Sequence, residues 1–244
     1  MIQRMRRWGE ILISILVWIT GLSSFVLLSS VVILLSLCAD PKRFAGFSKW
    51  ACRMIMRCLF VRVAVEGLEH VRKDRTYLFI CNHVNILDVL VLYGFIPNYF
   101  RGVELDEHFE WFFYGRVIRR LGMIPISQTS GRSALKSLHY ARQVAAGGTS
   151  ILILPEGGRT LDGQMQPFKR GAFVLAQKAG AAVVPAVMTG AFEIMRKGSL
   201  LIKPGRMALK LGAPIEFAEI DGLGADEIGK GVRARMEDLL SSGS

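Results

Sequence analysis

From Ile11 to Cys38 the chain carries no charged residue. As a helix that run is ~42 Å long, against a hydrocarbon core of about 30 Å. It predicts a retained membrane anchor rather than a signal peptide, because the run is about twice the length of a signal's apolar core and no small-x-small cleavage pattern ends it. Next, Lys49, Arg53 and Arg57 recur every four residues, one stripe of a helix, with Phe47, Trp50, Met54, Ile55 and Leu59 on the other side. A basic, aromatic-bearing amphipathic helix behind an apolar one predicts contact with an anionic bilayer surface through Lys49, Trp50, Arg53 and Arg57. Downstream the pattern shortens. Apolar runs at 76–82, 149–155 and 182–190 have the length and flanks of buried strands. Helical periodicity at 132–148 stops at a glycine pair, another helix covers 171–180, and Ile228, Val232, Met236 and Leu239 line one face of a last one. The segment 201–212 predicts a hairpin turning at Pro204-Gly205. Strands alternating with helices predict an α/β fold, a mostly parallel β-sheet flanked by helices, behind the N-terminal anchoring element. The expected division is an anchor over 1–62 and an α/β catalytic domain over 63–244.

Charge sharpens the view of the anchor. The 244 residues carry a net +11, and residues 1–62 hold nine Lys/Arg against two acids, so +7 of it lies there. Three basic residues (Arg4, Arg6, Arg7) precede the apolar run and six follow it, and positive-inside bias favours the cytoplasmic side for both flanks. A bend near Thr20–Ser24 satisfies this with a helical hairpin dipping into one leaflet, the catalytic domain on the cytoplasmic face of the inner or plasma membrane. The mean hydropathy of +0.35 comes largely from this front segment. No nucleic-acid motif accompanies the basic excess, so no nucleic-acid partner is expected. Cys38, Cys52, Cys58 and Cys81 fall in neither a CxxC nor a metal-ligand spacing and predict apolar fillers in a reducing compartment. No metal or cofactor is implied.

Candidate chemistry begins at "CNHVNILDVL", residues 81–90. His83 follows the C-terminal end of a predicted strand, the end at which open α/β sheets bind ligands. Asn85 and Asp88 stand as N-x-x-D, so Asn85 is expected to cap a helix through "ILDVLVLYG", with Asp88 in its first turn. A capped turn lets the carboxylate fold back on the imidazole, fix its tautomer and make a general base. Taken alone, the same pair reads first as a buried structural contact. A second stretch, "LPEGGRT" (154–160), also ends a predicted strand and offers Glu156, Gly157, Gly158 and Arg159. Lys169 and Arg170 stand at a predicted helix N-terminus, a natural anion site. There is no G-x-S-x-G elbow, and Cys81 lies in an apolar strand, so a base without a protein nucleophile points to a hydroxyl supplied by the substrate.

The order "NHVNILD", "GMIPI" (122–126), "LPEGGR" and "VVPAV" (183–187), with "PFKRGAFVLAQKAG" between the last two, resembles the glycerolipid acyltransferases of the lysophosphatidic acid acyltransferase type from about Phe47 to Leu211. The resemblance implies that His83 is the base and Asp88 its orienter. It implies substrate contacts at Asn82, Glu156, Gly157, Gly158 and Arg159, and a fourth block at Pro185. The implied partners are the bilayer, a lyso-phospholipid acceptor and an acyl carrier protein or coenzyme A thioester as donor, with phosphatidic acid the product. Backbone N–H groups around Gly157–Gly158 are the expected oxyanion donors. Two positions depart from the family pattern: Gln128 stands where the second block has arginine, and Gly158 where the third has Thr or Ser. Arg132 or Lys169 is the expected replacement for the missing cation. Otherwise the acceptor is a lyso-lipid without a phosphomonoester, such as a lyso-aminolipid. A catalytically silent lipid-binding scaffold and a membrane-tethered hydrolase are the other readings.

Overall fold

The computed structural model describes residues 2–127 and 131–242, with side chains over 7–127 and 137–242. Gln128 and the side chains of Arg4, Arg6 and Arg132 lie outside the described residues. Helix α1 (Ile2–Cys38) is followed by α2 (Ala45–Cys58) and β1 (Val61–Glu66). Then come β2 (Tyr77–Cys81), α3 (Asp88–Phe95), β3 (Phe100–Leu105), α4 (Tyr114–Arg120), β4 (Ile124–Ile126) and α5 (Gly131–Ala146). β5 (Ser150–Ile153), α6 (Arg170–Ala179), β6 (Ala182–Thr189) and α7 (Ala191–Ile194) precede β7 (Gly205–Leu211), α8 (Phe217–Ile220) and α9 (Ala225–Ser241).

Among the described residues seven strands form one sheet in the order β1-β7-β6-β2-β5-β3-β4, parallel except where β6 meets β7. This is the α/β, mostly parallel architecture that the alternation of elements predicts. The period of two along β2 sorts its side chains between two cores. Tyr77, Phe79 and Cys81 face the cluster that includes residues of α1–α4, whereas Leu78 and Ile80 face the one built with α5, α6 and α9. All five are buried, as befits a strand covered on both faces. The β6–β7 ladder starts at Ala186, so Pro185, with no N–H to give, stands just outside it. Gly190 ends β6 at φ +76°, and a Cβ there would lie 2.2 Å from the Arg206 carbonyl of β7. Only glycine fits that turn.

The topology fixes where a site can form. The chain leaves β2 through α3 for β3, beyond β5; it leaves β5 through α6 for β6, beyond β2. Loops from these neighbouring strands therefore part in opposite directions and open a crevice at their C-terminal ends.

Two expectations need correction. The segment 201–212 is no hairpin: its second half is the single strand β7, parallel to β1 and antiparallel to β6, because pairing with these distant strands overrides the local turn signal. Nor does the apolar run bend at Thr20–Ser24, since α1 is one continuous helix. The small residues there serve close packing instead. Gly21 is so near Leu59 that a Cβ would lie 2.1 Å from its side chain, and the Thr20 hydroxyl donates to the Cys58 carbonyl at 2.7 Å. Further contacts run along the helix. Ser14 and Val17 are buried near its start, Phe25 meets Phe113 edge to face, and Val32 is buried near its end. The opposite flank leaves Leu12, Ile15, Leu16, Ile19, Leu22, and Leu27 exposed.

Candidate functional site

His83 and Glu156 stand in the loops leaving β2 and β5, at the lips of the crevice. The five-residue interval from His83 folds into a tight turn rather than running straight into a helix. Asn85 does not cap α3, which is preceded by Leu87; its side-chain oxygen accepts from the Leu87 N–H at 2.7 Å, a local Asx turn, while its amide donates to Ala191 O at 2.6 Å. The turn puts Asp88 at the first position of α3, where its Oδ2 accepts from Val84 N at 2.5 Å and Asn85 N at 2.8 Å. The same oxygen lies 3.0 Å from His83 Nδ1. Asp88 is fully buried, and with two amides fixing its carboxylate it holds the ring in one orientation and directs the Nδ1 proton inward. The other nitrogen, Nε2, makes no hydrogen bond among the described residues, and the imidazole is partly open to solvent.

Glu156 lies elsewhere than a ligand-binding carboxylate would. Its Oε1 accepts the His83 N–H at 2.9 Å and its Oε2 accepts the Gln166 N–H at 2.9 Å. The carboxyl is buried, and burial raises its pKa, the two amides acting in the other direction. Thr160 N in turn donates to His83 O at 3.0 Å. Both backbone polar groups of His83 are thus tied to the 156–160 loop, and Glu156 holds the His83 backbone in place. Asn82 is likewise engaged within the fold. Its oxygen accepts from Met188 N at 2.7 Å and its amide donates to Met188 O at 3.1 Å, so it prolongs the β2–β6 pairing past the strand end.

The loop around the glycines divides into engaged and open amides. Gly157, at φ +66°, donates to Leu154 O at 3.2 Å, and Thr160 is bonded to His83. Among the described residues no bond takes the N–H groups of Gly158 and Arg159. Of the two amides expected as oxyanion donors, that of Gly157 is engaged within the loop and that of Gly158 is open, as is that of Arg159. Arg159 is half-buried and Lys169 exposed, the latter fixed by its own N–H to Pro155 O at 2.7 Å. Arg170 is drawn away to Asp226, 3.6 Å off at the start of α9. Lys197, which follows α7, reaches the Arg159 carbonyl at 3.3 Å. Its position over 30 residues downstream has no signature in the sequence. Cys81 is buried and burial pushes its thiol well above the ordinary range, the state of an inert filler.

Beside the pair, an apolar cavity of about 70 Å³ lies between α1, α2, α3 and α4, starting at Val89 and Leu90 next to Asp88 and reaching Phe25, Val32, Tyr93 and Tyr114. Of the basic stripe on α2, Arg53 and Arg57 are exposed, as is Trp50. Lys49 differs from its stripe partners. Its ammonium turns inward to Ile96 O and Asn98 O at 2.6 and 2.9 Å, closing the C-terminal end of α3, and burial brings its pKa down to about 8.

A family model described as Acyltransferase matches residues 62–204. A chloroplastic 1-acyl-sn-glycerol-3-phosphate acyltransferase of Arabidopsis thaliana is 30% identical over 67% of the chain and 46% of its own length. One of Chlamydomonas reinhardtii is 32% identical over 66% of the chain and 48% of its own length. The alpha enzyme of that name from Mus musculus is 27% identical over 69% of the chain and 59% of its own length. The chain spans about half the length of the curated relatives it matches. In fold it is similar to the crystal structure of the 1-acyl-sn-glycerophosphate acyltransferase PlsC from Thermotoga maritima, with a TM-score of 0.81 over 98% of this chain and 99% of that one, at 21% identity.

Proposed function

The chain belongs to the acyltransferase family, and we propose that it moves a fatty acyl group from a thioester to the sn-2 hydroxyl of lysophosphatidic acid. The observation that carries this reading is the His83 Nδ1–Asp88 Oδ2 contact of 3.0 Å, with the carboxylate fixed from behind and Nε2 unpartnered at the crevice. In this mechanism Nε2 takes the acceptor's hydroxyl proton as its oxygen attacks the thioester carbonyl. The new C–O bond forms while the carbonyl electrons collect on oxygen, where the Gly158 and Arg159 N–H groups receive them. As the carbonyl re-forms, the C–S bond breaks and the thiolate takes the proton back from His83. Ester and free thiol leave, and no covalent acyl-enzyme forms. Arg159, Lys169 and Lys197 supply positive charge for the acceptor phosphate.

The membrane assignment rests on α1. Its fixed contacts with the catalytic domain extend from Ser14 to Val32, ~27 Å at the helical rise. A helix crossing ~30 Å of hydrocarbon cannot hold a water-soluble domain along that length. We therefore place α1 in the plane of one leaflet, exposed flank inward, with the catalytic domain on the cytoplasmic side that the basic flanks favour.

Gln128 favours a second acceptor class, lyso-lipids without a phosphomonoester. One assay separates the readings: thiol release from acyl carrier protein and coenzyme A thioesters, with lysophosphatidic acid, with a lyso-aminolipid and with neither, beside His83→Ala. Release that depends on lysophosphatidic acid and on His83 is the expected result. Release only with the lyso-aminolipid moves the substrate, release without acceptor makes the protein a hydrolase, and none at all from folded protein leaves a silent scaffold.

A further inference from the structure

The segment after α7, residues 196–203, has no part in the chemistry above beyond Lys197, yet it is firmly built. Ser199 N bonds to Arg196 O at 3.1 Å and Leu201 N to the Ser199 hydroxyl at 3.0 Å. α1 holds it from the side: the Leu200 carbonyl accepts from the Trp18 indole at 2.7 Å and from Ser14 at 3.3 Å, and Ile202 N donates back to the Ser14 hydroxyl at 3.0 Å. Lys203 pairs with Glu10 at 3.4 Å. Ile202 alone fills the core. Leu200, by contrast, is 82% exposed and Leu201 is also open, on a loop whose backbone is bonded at Ser199, Leu200, Leu201, Ile202 and Lys203.

A rigid loop that presents leucines outward, flanked by Arg196, Lys197 and Lys203, has the composition of an element seated at a lipid–water boundary. Its surroundings agree. Leu12, Ile15 and Ile19, within a turn of the Ser14–Trp18 contact, are exposed on α1. On the other side Lys197 joins the loop to Arg159, and Leu161, at the end of the same site loop, is 74% exposed. An apolar rim thus runs from α1 through Leu200 and Leu201 to the edge of the crevice.

We infer that residues 196–203 form a second membrane contact, which seats in the surface of an anionic bilayer and holds the mouth of the site against the leaflet that carries the acceptor. This rests on the placement of α1 in that leaflet. Electrostatic attraction of the three cations guides the loop to the surface, and burial of the two leucines fixes its depth.

The test uses the full chain in phosphatidylcholine vesicles containing phosphatidylglycerol, with an environment-sensitive fluorescent amino acid at 200, at 16 on the exposed flank of α1, or at 223. Leu223 belongs to the loop before α9, on the other side of the sheet. Lipids brominated near the top of the acyl chains are expected to quench positions 16 and 200 and to leave 223 bright. Quenching at 16 with none at 200 above that at 223 overturns the inference and leaves the anchor standing; quenching at neither overturns both. In turnover, Leu200→Asp with Leu201→Asp is expected to raise the apparent KM for vesicle-borne lysophosphatidic acid about tenfold, equivalent to ~1.4 kcal/mol. Its kcat on a short-chain, water-soluble acceptor is expected to match wild type. An unchanged KM at the vesicle refutes the loop's role, whereas a wild type inactive on both acceptors refutes the acyltransferase reading.

Discussion

Asp88→Asn gives the proposed mechanism its sharpest test, because the structure dictates how the substituted side chain must sit. Oδ2 receives the Val84 and Asn85 amides as well as His83 Nδ1, so only the oxygen of an asparagine can occupy that place. The amide nitrogen then takes the position of Oδ1, which is buried with no hydrogen-bond partner among the described residues. His83 keeps its orientation and its Nδ1 proton; what disappears is the negative charge beneath the imidazolium. At the observed 3.0 Å and an effective dielectric constant near 20, the charge pair amounts to ~5 kcal/mol. With roughly half the positive charge developed in the transition state, the loss is ~2–3 kcal/mol, or about a hundredfold in kcat. Asp88→Ala goes further, since it leaves two buried amides unpaired, and an additional loss of ~1–3 kcal/mol of stability for each follows. The assay is acceptor-dependent thiol release at saturating substrate, with thermal unfolding in the same detergent as control. An Asn variant within twofold of wild-type kcat would show that the pair is structural. A loss of ten thousandfold or more with an unchanged unfolding temperature would refute the claim that the two amides preserve the tautomer.

Three other substitutions probe the neighbourhood. Glu156→Gln keeps one acceptor of two and is expected to lower kcat about tenfold, the equivalent of one hydrogen bond to a charged group, without moving the acceptor KM; a rise in KM alone would return Glu156 to substrate binding. Gly158→Thr meets no atom within 4 Å of its Cβ and is expected to retain activity, whereas Gly157→Ala strains a residue at φ +66° and is expected to cost ~1 kcal/mol or more, read as a lower unfolding temperature. Lys49 has a folded pKa of about 8 against 10.5 for the free side chain, so between those values the unfolded chain binds more protons. Stability is therefore expected to rise with pH through that window, by up to ~1.4 kcal/mol per unit, relative to Lys49→Met; parallel unfolding curves for the two proteins at pH 7.5 and 10 would contradict it.

The sequence made the middle of the fold readable and its margins hard to read, for a physical reason. β2, β5 and β6 are central strands covered on both faces, and their continuous apolar runs announce them. The alternating "VRVAVE" of β1 carried a period-two signal, but β7 is defined by its pairing with β6 and with β1, far back in the chain, and Pro204-Gly205 suggested a turn there. The site divides in the same way. His83 and Asp88 meet across five residues, so local turn chemistry exposes their contact. Glu156 and Asn82 satisfy backbone groups of distant segments, Lys49 closes a helix end that its own stripe does not reveal, and Lys197 arrives from beyond β6.

The lengthwise clamp on α1 also governs how quantity is to be counted for this protein. With the helix fixed from Ser14 to Val32 there is no tether on which the catalytic domain can swing; seated in one leaflet as proposed, the protein would keep only lateral diffusion and rotation about the membrane normal. Encounters with a lipid acceptor then happen in two dimensions. The variable that sets the rate is the acceptor's mole fraction in the leaflet, not its amount per volume of buffer. Inert phospholipid, added while enzyme and acceptor stay constant, dilutes the reaction as surely as water dilutes one in solution.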